Sequence, residues 1–160
     1  HKLASPHYAH VIRIDPRHPS ARLGQVKALS RMGRYADALE RLQEGLAVLP
    51  QSMGRTHAMA RLLAACPDQA VRDGPRALRL GMTVFKIKQT IEHGETVAMA
   101  YAELGRYEQA CRLQSRIVAV AQKAKGADIP PRLHRNLTLY RASTPCRSPW
   151  PSKSPRKVEE

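Results

Sequence analysis

The chain has 160 residues, with 27 lysines and arginines against 13 acidic residues for a formal net charge of +14, and it is 42% hydrophobic but only 4% aromatic. That length holds one domain or a short repeat array without a metal or disulfide staple, and its Ala-, Leu- and Val-rich apolar content suits close-packed helices and excludes an aromatic-rich β-sandwich. The charge excess is spread along the chain, so a single basic tail is not its source; it fits a nucleic-acid, anionic-surface or acidic-protein partner, or a plain solvated arginine-rich surface.

The three cysteines, Cys66, Cys111 and Cys146, are isolated and odd in number, which supports neither a zinc site nor a disulfide framework. No apolar run approaches the roughly 18 residues that a membrane-spanning helix needs. The first residue is His1 and no signal peptide is visible, so the expectation is a processed product or a piece of a longer chain, with its compartment open.

In chain order, Tyr8, Val11, Ile12 and Ile14 end an apolar helical pattern at Pro16, and Leu42, Gly45, Leu46, Val48 and Leu49 end another at Pro50, 34 residues on. Between them, residues 21–32 form one predicted helix, with Leu23, Val26, Leu29 and Met32 at helical spacing and Ser20 as its expected cap. Gly33 is the turn, suited to the left-handed backbone that closes a helix. Residues 36–49 form the second predicted helix, with Ala38, Leu39, Leu42, Leu46 and Leu49 inward, and Pro50 stops it.

Next, residues 59–65 read as a first helix and 77–80 open a second, joined by a longer turn over 66–75. The phrase around Gly33-Arg34-Tyr35 returns as Gly105-Arg106-Tyr107, followed by Ala110 as Ala38 follows Gly33. Pro130-Pro131 begins a last amphipathic helix with Leu133, Leu137 and Tyr140 on one side. Single helices this short are marginal in water, so stability has to come from stacking. Residues 143–160, rich in Ser and Pro, read as a flexible tail beyond a 1–142 helical array.

These residues resemble the tetratricopeptide repeat family, whose loose signature sets a large residue, Leu-Gly, Tyr, a turn Gly, Ala, Phe and a closing Pro at fixed spacing. The first full unit has Arg22, Gln25-Val26, Leu29, Gly33, Ala38, Leu42 and Pro50 at those places. The third has Gly94, Val97-Ala98, Tyr101, Gly105, Ala110, Gln114 and Gln122, and the middle unit Thr56, Met59-Ala60, Leu63, Ala77 and Gly81. The middle unit looks like a variant found in bacterial multi-unit members, and the resemblance spans about residues 5 to 142. It implies an all-α, right-handed α-solenoid of helix-turn-helix repeats with a capping helix at its end, acting as a non-catalytic scaffold.

In that family a concave groove lined by first helices holds an extended peptide or a partner helix. Here the groove positions one turn apart are Leu23, Lys27 and Arg31, then His57, Arg61 and Ala65, then Glu95, Met99 and Glu103. Lys27, Arg31 and Arg61 are the expected carboxylate or phosphate holders, and Leu23 and Met99 the expected seats for apolar side chains. The resemblance does not extend to a clamp for a chain-terminal carboxylate, because the groove asparagines are missing and Glu95 stands where a cation belongs.

No catalytic, nucleotide-binding or metalloprotease motif is present, and no cofactor or metal is expected. Glu92 and Glu95 read as a favourable pair at a helix start rather than as acid–base partners. His7 and His10 make a weak metal pair, and Pro149-Trp150-Pro151 a weak proline-recognition ligand. The expected partner is a protein segment, acidic in character. Nucleic acid is the alternative, disfavoured because one Trp and one Phe offer little for base stacking.

Overall fold

The computed structural model describes residues 19–150, and among these the chain is built from helices with no strand. The α-helices are α1 (Pro19–Arg31), α2 (Tyr35–Val48), α3 (Met53–Ala65), α4 (Gly74–Ile87), α5 (Ile91–Glu103), α6 (Tyr107–Lys125) and α7 (Pro131–Arg141), with one 3-10 turn, Gly126–Asp128, before α7. The helix expected to end at Pro16, the His7 and His10 pair, and the Ser/Pro stretch from Pro151 onward lie outside the described residues.

Each helix packs against the next in sequence, and the first helices α1, α3 and α5 also pack against one another in a row. This double adjacency makes a stack of hairpins in which α3 lies against its own partner α4 and between the first helices α1 and α5. Composition follows position. The central helix α3 is nearly all buried from Ala58 to Ala65, and α5 is buried from Gly94 to Ala100. Both segments are rich in Ala, which lets helix axes approach closely.

The two outer hairpins turn in the same way. Gly33 and Gly105 sit at φ +75° and +73°, in the left-handed region. At each turn the amide three residues past the helix reaches back to a carbonyl, Arg34 to Leu29 and Arg106 to Tyr101, both at 2.9 Å. This is the Schellman arrangement, which satisfies the last carbonyls of a helix. Matching hydrogen bonds at matching sequence phrases are the structural signature of the repeat.

The middle hairpin has the longer connection that the sequence predicts. Ala70 N–H donates to the Asp68 carboxylate at 2.9 Å, Asp73 N–H donates to the Leu63 carbonyl at 3.0 Å, and Val71 tucks inward at 6% exposure. Asp73 then caps α4, and Ser52 and Thr90 cap α3 and α5, each side chain accepting from an amide three residues on. Helix α1 begins at Pro19, one residue ahead of the Ser20 expected to cap it.

Helix α7 starts with proline in its first turn, and its Leu133 and Leu137 close a cluster with Ile117, Val118 and Ala121 of α6. Beyond α7 the structure departs from the sequence reading. Residues 143–150 are not a free tail: Cys146 is 3% exposed within the main core cluster, and Trp150 packs against the same cluster. The reason is local. Ser143 takes the left-handed backbone at φ +52°, and Thr144 N–H donates to the Leu139 carbonyl at 2.9 Å, turning the chain back onto the array.

Candidate functional site

Helix periodicity puts residues 23, 27 and 31 on one side of α1, and 54, 57, 58 and 61 on the facing side of α3. Together with Glu92 of α5, Arg132 of α7 and Trp150, these residues line a groove of about 420 Å³. Five of the six residues expected from the sequence, Leu23, Lys27, Arg31, His57 and Arg61, are thus brought together. Their roles differ sharply.

Lys27 and Arg31 are exposed, one turn apart, and no acidic side chain pairs with either among the described residues. Leu23, half-buried, continues their row. These three form the open end of the groove.

Arg61 is not an open cation. It is 5% exposed, and its Nη2 donates to Glu95 Oε1 at 2.6 Å while its Nη1 donates to Thr96 Oγ1 at 3.2 Å. Glu95 is fully buried and also accepts from Arg132 Nε at 3.1 and 3.2 Å. Burial of a lone charge is expensive, so paired charges with satisfied hydrogen bonds are the form in which such groups persist inside a fold. Glu95 therefore ties α5 to α3 and α7, rather than serving the helix start as its position in the sequence implies. The helix dipole is met instead by the Thr90 cap and by Glu92 in the first turn.

His57 belongs to the same network. His57 Nε2 lies 2.7 Å from Thr96 Oγ1, which also reaches the Glu92 carbonyl at 3.1 Å. Burial first, then the Arg61 charge and the neighbouring His93, push the imidazole down to about 4. It is neutral at ordinary pH and adds no charge to the groove.

Met99 is a correction. It is 1% exposed and sits in the main core cluster, so it offers nothing to a partner. Its side of α5 is covered along its length: Glu95 is met by Arg132 of α7, and Glu103, one turn beyond Met99, by Arg72 at 3.1 Å and by Arg147 at 2.5 Å. The sequence reading missed this cover because Arg132 and Arg147 lie 37 and 44 residues from the carboxylates they meet.

With the stacked hairpins and their groove described, the comparison with known families is specific. Residues 1–66 match the family model described as tetratricopeptide repeat. The matched stretch is 66 of the 160 residues. The match runs through α1, α2 and α3 and stops at the start of the long middle connection. Beyond the matched stretch, the turn of the α5–α6 hairpin at Gly105 repeats the geometry at Gly33. No curated protein matches the chain. Among the described residues no group of three or more His, Cys, Asp or Glu is placed to hold a metal ion, and no helix is long and apolar enough to cross a membrane. Tetratricopeptide repeats generally mediate protein–protein interaction, and the groove between α1 and α3 is where this array offers charged and apolar side chains side by side.

Proposed function

We propose that this chain is a non-catalytic adaptor that binds an acidic segment of a partner protein at the Lys27 and Arg31 end of the groove. The observation that carries the reading is the pairing of two exposed cations, which meet no acidic side chain among the described residues, with the apolar surfaces of Leu23 and Trp150 in one recess. A carboxylate can take charge-assisted hydrogen bonds from Lys27 or Arg31 while an adjoining aliphatic side chain rests on Leu23. Arg61 supports the site from below, held by Glu95, and does not meet the partner's charge.

A fluorescein-labelled oligoglutamate peptide, followed by anisotropy at low and physiological salt, tests this. The expected result is binding that weakens with salt and at least about tenfold in the Lys27→Glu, Arg31→Glu variant. Lys123→Glu, which changes the charge on α6 outside the groove, should leave affinity within about twofold. Equal losses in both variants would mean that the overall basic field binds the peptide and the groove does not. A single-stranded oligonucleotide of matched charge serves as the rival probe: tighter binding of it, with a salt slope indicating several released counterions, favours the nucleic-acid reading.

A further inference from the structure

The groove is partly filled already. After α7 the chain reverses at Ser143, with its left-handed backbone, and residues 144–150 run back over α5 and α3 toward α1. Four contacts seat this strap in succession. Cys146 is buried in the core cluster. Arg147 Nη1 donates to Glu103 Oε2 of α5 at 2.5 Å. Pro149 is buried, and its carbonyl accepts from Arg61 Nε of α3. Trp150 forms a wall of the recess that holds Leu23, Lys27 and Arg31.

Between the anchors Ser148 is exposed, as is Thr144 ahead of them. A segment anchored at two pairs of residues either side of a free one, and read by one side-chain ion pair and one arginine-to-carbonyl hydrogen bond, has the form of a bound peptide. Arg61 and Glu103 face in the opposite sense to one another, a cation for a main-chain carbonyl and an anion for a side-chain cation. The chemistry they select is therefore defined: an extended run with Arg, a spacer, Pro and an aromatic residue.

We propose that residues 144–150 are an intramolecular ligand of the groove, and that the α3–α5 part of the groove is a receptor for extended Arg-x-Pro-aromatic segments, which the chain's own strap occupies until displaced. This rests on the groove being the partner surface. A partner using only the Lys27 end finds Trp150 as a wall, whereas one that runs on to α5 has to exchange with the strap. Because the strap is tethered, it competes at an effective concentration of about millimolar, so a free segment binds weakly unless the strap is loosened.

The test uses the full chain and a labelled peptide of the sequence of residues 144–150, followed by anisotropy. Trp150→Ala in the full chain weakens the strap without touching its receptor side chains, and Arg147→Glu does so independently by setting a carboxylate against Glu103. Both variants are expected to bind the peptide at least about tenfold more tightly than the wild type, which the tether protects. A control peptide carrying both substitutions should bind none of the three chains. Circular dichroism melting of the two variants confirms that the array stays folded. Equal peptide affinity in wild type and both variants, or no binding to either variant up to about 1 mM, overturns the proposal. Failure of the acidic reading is separate: it is read from oligoglutamate and its dependence on Lys27 and Arg31, which the strap peptide does not probe.

Discussion

The guanidinium of Arg61 and the carboxylate of Glu95 lie 2.6 Å apart at the meeting of α3 and α5, with side-chain exposures of 6% and 0%. Arg132 joins the same carboxylate from α7 and is more open, at 26%. One buried acid thus holds three helices.

Removing that acid leaves two guanidinium groups without their anion. Glu95→Ala is expected to cost about 3 to 5 kcal/mol, the range for breaking a buried pair from one side. Arg132→Ala leaves the buried Arg61–Glu95 contact in place and should cost roughly 1 kcal/mol. Urea denaturation midpoints distinguish the two. A Glu95→Ala variant as stable as Arg132→Ala would show that the network does not anchor the array.

His57 makes the stability of the array depend on pH. The folded chain keeps its imidazole neutral down to about 4, whereas the unfolded imidazole takes up a proton below about 6.5. In that window the unfolded state binds more protons, so stability is full above the upper value and falls as the pH drops to the lower one. The loss attributable to His57 is at most about 3 kcal/mol. In His57→Gln, which keeps a polar group for Thr96, the fall in Tm between those pH values should be shallower than in the wild type. Parallel curves would remove His57 as the cause.

Two glycines are expected to fail for different reasons when replaced by alanine. At Gly105 a Cβ meets no heavy atom within 4 Å, but φ is +73°, so Gly105→Ala should cost about 1 kcal/mol through backbone strain alone. At Gly45 an added Cβ would stand 3.1 Å from Arg55 Cδ and 3.3 Å from Arg22 Cδ. Arg55 is 1% exposed and donates to the Gly45 carbonyl at 3.0 Å, so it has little room to give way. Gly45→Ala should therefore cost more than Gly105→Ala, by about 1 kcal/mol or more, since overpacking at a buried contact is added to a lost fit. Thermal melts of the two variants at one pH decide the order; the reverse order would mean that the α2–α3 interface adjusts freely.

The sequence by itself was enough for the helices and their pairing. Apolar spacing marks residues 21–32 and 36–49 within one or two residues of α1 and α2, because a helix buries one stripe and the stripe has a fixed period. The repeated Gly-Arg-Tyr phrase located both short turns, since a left-handed residue closes a helix most cheaply as glycine. The same periodicity placed Leu23, Lys27, Arg31, His57 and Arg61 along one face, and they do share a groove.

What periodicity does not contain is which charges face water. Lys27 and Arg61 occupy equivalent positions on successive first helices, yet one is exposed and the other is locked to Glu95. The fully buried state of Met99 and the seating of Cys146, Pro149 and Trp150 likewise depend on contacts between residues dozens of positions apart. Such contacts are made by the tertiary fold, where the desolvation of each charge and the return path of the chain after Ser143 are settled together. Local pattern specified the elements; the packing of α5, α7 and the strap decided which part of the groove remains open.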